Sequence, residues 1–186
     1  IGWRWWRRRA ASIAQSSTPV STNCARSASN RRGTSPSSNA GRSWLDQRRP
    51  DVVCLQETKL ADEAFTDLLG EQLRSRGYEL ALHGEVQWNG VAILSKVGLD
   101  DVVPGIVGAP GFPLPEARAV SATCGGIRVT SVYVPNGRVP DSDHYRYKLE
   151  WLAALAEQVR SGPSETVVCG DMNIAPTDED VFDPDA

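Results

Sequence analysis

The stretch PDVVCLQETKL, residues 50–60, decides how the chain is read. Pro50 lacks a backbone N–H and so opens a strand rather than continuing one. Residues 51–55 then form a short β-branched apolar run, which suits a buried strand bounded by turn residues. Gln56, Glu57 and Thr58 follow at its carboxyl end, where packing gives no reason for a carboxylate. Open α/β sheets usually build their sites at such strand ends.

Downstream the pattern is a mixed α/β one. Residues 62–76 place Ala64, Phe65, Leu68, Leu69 and Leu73 on one face of a helix that Gly77 stops. Strands are predicted over 78–82, 90–95 and 117–123. The clearest strand spans 127–134, and Pro135, Asn136 and Gly137 end it in a turn. Ser142 or Asp143 can cap a helix running to about residue 160, with Leu149, Leu152, Leu155 and Val159 spaced for its buried side. A last apolar strand over 166–169 is closed by Gly170, Asp171, Met172 and Asn173.

Upstream the composition changes abruptly. Residues 1–43 hold eight Arg and no acidic residue, whereas the whole chain carries −3, so the net charge from residue 44 onward is −11. This segment is rich in Ser, Arg, Asn and Thr, shows no apolar period, and cannot offset its own ordering entropy, so it is read as disordered or as a mis-called start. Trp3, Trp5 and Trp6 within a basic arm would allow binding to nucleic acid or a membrane surface, but the abrupt boundary favours the mis-called start. No apolar run approaches the roughly 20 residues of a membrane span, and no signal-peptide core is present, which suggests a cytoplasmic protein with no membrane partner. Cys24, Cys54, Cys124 and Cys169 are widely spaced, without a C-x-x-C pair, and read as buried thiols.

Three segments concentrate polar groups at strand ends: LQET (55–58), YVPNG (133–137) and GDMN (170–173). Each alone could be a loop or a helix cap. Together, carboxylates and amide oxygens from different strand ends suit a hard cation such as Mg2+, and the lack of Cys or His clusters disfavours zinc.

The ordered series LQETK, QWNGVAILS, PEAR, VYVPNG, DHYRYKLEWL and CGDMNIAPTDEDV resembles the exodeoxyribonuclease III branch of the endonuclease/exonuclease/phosphatase superfamily, over residues 44–186. The resemblance implies a four-layer α/β sandwich of the DNase I-like type, in the α/β or α+β class, and a domain that is incomplete here. It implies a DNA repair hydrolase dependent on Mg2+, with Mn2+ as an alternative. Such an enzyme acts, as a monomer, on double-stranded DNA at abasic sites and 3′ ends.

By position, Glu57 matches the family's metal-binding glutamate, Asp171 the aspartate that orients and deprotonates water, and Asn173 the asparagine beside it, which stabilises the transition state or completes the metal environment. Tyr133 matches the active-site tyrosine that donates to the scissile phosphate. Asn136 would add a phosphate contact. Trp88 and Asn89 fall in a segment that approaches DNA, and Arg118 would organise the site or meet a phosphate; core packing or turn chemistry is an equal alternative for these three. Tyr145, Arg146 and Lys148 read either as a basic rim or as a solvated helix face.

The resemblance also implies gaps. The family's T-W-N-x-N strand has no match in residues 1–43, where Asn23 and Asn30 sit in Ser-rich surroundings. Its closing S-D-H pair would lie past Ala186. Ser142, Asp143 and His144 spell the same letters but stand where the family starts a helix, and His83 is no substitute. A site without that His implies activity reduced by orders of magnitude, with an inactive nucleic-acid-binding fragment as one rival and a phosphatase of the same superfamily as another.

Overall fold

A computed structural model describes residues 22–26 and 44–181. Two four-stranded sheets make its centre. The first runs in the order β1-β2-β4-β3, from Thr22–Arg26, Val52–Gln56, Val91–Ser95 and Glu79–His83. The second runs β5-β6-β7-β8, from Asp100–Pro104, Ala119–Cys124, Ile127–Tyr133 and Thr166–Asp171.

Period-two alternation explains the layering. Val52 and Cys54 of β2 face inward with Ile93, Val120, Ala122, Val129 and Cys169, forming the core between the sheets. Val53 points the other way, towards Phe65, Leu73, Tyr78, Ala92 and Leu94. Phe65 and Leu73 belong to helix α1, built from Asp62–Phe65, a π-helical turn Thr66–Gly70, and Glu71–Arg74. On the outer face of the second sheet, Val132 and Val134 meet Tyr147, Trp151 and Leu155 of helix α2, Asp143–Ser161. Helix, sheet, sheet and helix give the four layers that the family resemblance implies.

Two expectations about helix faces shift. On α2 the buried stripe is Tyr147, Lys148, Trp151 and Leu155, while Leu149 and Val159 are exposed. Burying Trp151 and Tyr147, four residues apart, turns the helix so that the leucine row lies to one side. On α1 the π turn slips the phase, leaving Leu68 exposed and Leu69 only part-buried against the core. Ser142 caps α2, its side chain accepting from the Tyr145 N–H, so the S-D-H letters are a helix start. Such a cap contributes about 1 kcal/mol.

Two strands stand where the sequence predicts none. β5 is exposed at every position and carries two aspartates, so it has no alternation to read. β1 lies inside the segment expected to lack structure, in parallel register with β2 from Thr22↔Val52 to Arg26↔Gln56. Its pairing comes from β2 and not from its own pattern, which is how tertiary context overrides composition. Asn23 stands opposite Val53 in that register. The remainder of residues 1–43, including Trp3, Trp5, Trp6 and Asn30, lies outside the described residues. Cys54, Cys124 and Cys169 are buried, as expected. No helix among the described residues is long and apolar enough to cross a membrane.

Candidate active site

The polar motifs meet because the strands that carry them end together. Glu57 follows β2 directly, Tyr133 ends β7, and Asp171 ends β8 opposite Tyr133 in the parallel register. Parallel pairing brings carboxyl ends to one side, so Tyr133 and Asp171 emerge as neighbours.

Backbone hydrogen bonds tie together residues of five of the six motif segments. The Thr58 N–H donates to the Gly90 carbonyl at 3.1 Å, and the Gly90 N–H to the Ala117 carbonyl at 2.9 Å. The Tyr133 N–H donates to the Arg118 carbonyl at 2.7 Å, and the Val134 N–H to the Asp171 carbonyl at 2.9 Å. Two glycines make this approach possible. A Cβ on Gly90, where φ is +87°, would sit 2.1 Å from Thr58 Oγ1, and one on Gly170 would sit 1.8 Å from the Val132 carbonyl oxygen. Alanine at either position would collide with the neighbouring loop or strand.

Glu57 adopts a left-handed backbone, φ +56°, which turns it off the strand end; its side chain is 22 % exposed and pairs with Lys59 Nζ at 3.0 Å. Tyr133 lies close enough to respond to both carboxylates. Burial first, then the Glu57 charge and its hydrogen bond, and also the Asp171 charge, push the phenol above its ordinary value, against the opposing pull of Arg118. The phenol therefore keeps its proton at neutral pH and is a donor.

Asn173 is held in a tight turn with φ +48°. Its N–H donates to Asp171 Oδ1 at 3.0 Å, and its side-chain amide to the Val134 carbonyl at 2.7 Å. Asp171 and Asn173 are thus one geometric unit, fastened to the YVPNG loop.

The other sequence-predicted residues separate into two groups. Asn136 and Trp88 are presented outward. Asn136 is exposed, accepts the Arg138 N–H at 2.8 Å, and borders a cleft of about 110 Å³ with Phe112, Arg138 and His144. Trp88 is 69 % exposed on the loop before β4. Asn89 and Arg118 are engaged inside the protein. The Asn89 amide donates to Glu85 Oε1 at 2.7 Å and Glu116 Oε1 at 3.3 Å. Arg118 Nε donates to Glu116 Oε2 at 2.7 Å, its Nη1 to the Tyr133 carbonyl at 3.3 Å, and its guanidinium lies 5.1 Å from the centre of the Tyr133 ring. His83 bonds the Ala119 carbonyl at 2.8 Å within the fold.

Glu85, Glu116 and Tyr147 form a supporting network that the sequence reading missed. Glu116 stands in the quoted PEAR motif, but nothing local shows that Tyr147, 31 residues away, donates to its Oε2 at 2.8 Å. Lys148 is the other surprise. It is buried, and its Nζ reaches the Asn173 carbonyl.

The donor set, carboxylate and amide oxygens, fits a hard divalent cation. The described residues contain no group of three or more His, Cys, Asp or Glu able to form a closed cage. Magnesium is commonly held by one or two carboxylates, with water and phosphate oxygens supplying the rest, and Glu57 and Asp171 are of that kind.

Comparison with known proteins identifies the family. Residues 20–186 match the model of the Endonuclease/Exonuclease/phosphatase family. The chain is 30 % identical over 152 residues to exodeoxyribonuclease III of Haemophilus influenzae, covering 74 % of this chain and 52 % of that protein. Among solved structures it is similar to a 3′ phosphatase, NExo, from Neisseria bound to a product DNA hairpin, at 36 % identity and a TM-score of 0.70, covering 78 % of this chain and 56 % of that one. It is likewise similar to an AP endonuclease from Archaeoglobus fulgidus, at 37 % identity and a TM-score of 0.67, covering 77 % and 55 %. The chain spans about half the length of the curated relatives it matches. With the order of the motifs, the two-sheet fold and the sequence match in agreement, the chain belongs to the endonuclease/exonuclease/phosphatase family.

Proposed function

We propose that these residues carry the cation- and water-binding part of a site that hydrolyses phosphodiesters in DNA, as in exodeoxyribonuclease III, at abasic sites and 3′ ends of a duplex. The observation that carries this reading is the gathering of Glu57, Tyr133, Asp171 and Asn173 at adjacent strand ends, with the phenol above its ordinary value and so a donor. Similarity to an exodeoxyribonuclease III, to an AP endonuclease and to a 3′ phosphatase bound to a product DNA hairpin supports the substrate class. The reading includes a monomeric cytoplasmic enzyme.

A bound Mg2+, or Mn2+ in its place, supplies Lewis-acid charge neutralisation on a phosphate oxygen. Glu57, with Asp171 and Asn173 alongside, would hold it. Asp171 accepts the proton of the attacking water, and the turn that ties Asn173 N–H to its Oδ1 holds the carboxylate in place. Tyr133 donates its hydroxyl proton in a hydrogen bond to a phosphoryl oxygen. Asn136 and Trp88, both facing outward, contact backbone and base, while Asn89 and Arg118 act through the groups they brace.

The test is cleavage of a duplex oligonucleotide with one abasic site, in magnesium and in EDTA, for the chain and its Glu57→Gln variant. Magnesium-dependent nicking that the variant loses supports the reading. Equal inertness of both leaves an inactive fragment, and release of phosphate from small phosphoesters without DNA cleavage would move the assignment to a phosphatase.

A further inference from the structure

Lys148 is only 7 % exposed, although it belongs to a helix whose neighbouring positions 149 and 150 face solvent. Burying an ammonium group costs several kcal/mol unless it is compensated by hydrogen bonds or opposite charge. Here both are found at the GDMN turn. Nζ donates to the Asn173 carbonyl, and although burial pulls the ammonium below its ordinary value, the Asp171 charge opposes that pull. The stem runs beneath the YVPNG loop, where a Cβ on Gly137 would come within 3.1 Å of Lys148 Cδ. Asn173 thereby has its N–H, its side-chain amide and its carbonyl each fastened: to Asp171, to Val134 and to Lys148. All three bonds hold a residue in the left-handed region, which needs support from its surroundings.

We propose that Lys148 is a positioning residue: its buried ammonium pins the Asp171–Asn173 turn through the Asn173 carbonyl, so that the two side chains meet an incoming cation in one fixed arrangement. This rests on the reading of that turn as a cation site. In this role the ammonium acts through the Asn173 carbonyl.

The experiment compares the full chain with Lys148→Met, Lys148→Arg and, as a control on the exposed side of α2, Glu150→Gln. Two quantities are read: Mn2+ affinity by titration, and amide hydrogen exchange at Asn173 by NMR. Losing a hydrogen bond to a charged group predicts about tenfold faster exchange at Asn173 and about tenfold weaker Mn2+ binding in Lys148→Met at an unchanged melting temperature. Lys148→Arg recovers most of both, and Glu150→Gln changes neither. Lys148→Gln replaces Lys148→Met if the latter does not fold. Unchanged exchange and affinity would overturn the proposal, as would faster exchange spread evenly over β6 to β8 or failure of both variants to fold, since Lys148 would then serve packing alone. If the wild-type chain takes up no Mn2+, the cation-site reading fails, and the exchange comparison still decides whether Lys148 pins the turn.

Discussion

Gln56 and Ser131 join the two sheets through the interior, the Gln56 amide donating to Ser131 Oγ at 3.2 Å while that hydroxyl donates to the Leu55 carbonyl at 3.3 Å. Gln56 is 1 % exposed and immediately precedes Glu57, so the bridge sets the height of β2 against β7 one residue behind the carboxylate. Ser131→Ala removes one acceptor of the buried amide. It should cost about 1–3 kcal/mol in urea denaturation, and the double variant with Gln56→Leu should recover part of that loss, because no polar partner is then left behind.

Tyr133 is anchored by its backbone and by the face of its ring as well as by its hydroxyl. Tyr133→Phe therefore keeps the Arg118 contacts and removes only the donor. The melting temperature should barely move, and the rate of abasic-site cleavage should fall about 100-fold, the usual effect of losing one transition-state donor. A comparable loss of Mn2+ binding would instead place the hydroxyl in cation binding.

Glu116 gives the fold a pH dependence whose sign follows from its contacts. Burial alone would raise this carboxyl; hydrogen bonds from Arg118, Tyr147 and Asn89 and the Arg118 charge outweigh that, and hold it below its ordinary 4.5. Its contribution to stability is complete above about pH 4.5, where the unfolded carboxyl is also ionised, and is lost as pH falls through the lower folded value. Melting temperatures measured from about pH 6 down to about pH 3 should fall less steeply for Glu116→Gln than for wild type, from a lower starting point. Parallel curves would show that other groups dominate.

Trp88 stands 69 % exposed on the loop whose neighbouring backbone is tied to Thr58 and Lys59. An exposed ring on a loop tied to the segment that follows Glu57 is suited to stacking on a base. Trp88→Ala should leave stability unchanged and weaken abasic-duplex affinity by about 1–3 kcal/mol, read by fluorescence anisotropy. An unchanged affinity would remove this residue from the DNA contact surface.

Much of this fold can be read locally because its signal is local. β2, β4 and β8 are apolar runs and β7 is rich in β-branched residues, each closed by turn residues, and Gly77 ends α1 in the left-handed conformation expected of a helix-stopping glycine. β1 and β5 escape because a partner strand, and not an internal pattern, makes them strands. The same division runs through the site. Glu57, Tyr133, Asp171 and Asn173 lie in strand-end motifs whose order the sequence displays. Lys148 and Tyr147 act across 25 and 31 residues, and only helix rotation reveals that they face the site. Arg118 and Asn89 carry the right chemistry for a ligand, yet Arg118 is paired with Glu116 two residues away and Asn89 with Glu85 four residues away; only the bond from Asn89 to Glu116 is a fact of tertiary structure alone.

The exposed border strand of the second sheet also bears on how the molecule keeps to itself. Asp100 and Asp101 lie on β5, its register slips between Asp100 and Val103, and Pro104 ends it without an N–H to offer. A second molecule docking there edge to edge would set like charges side by side along a bent ladder that lacks a donor. The exposed Val102 and Val103 are thus guarded against fibril-like stacking, and replacing both aspartates with threonine would expose a sticky seam without touching the chemistry at the opposite end of the fold.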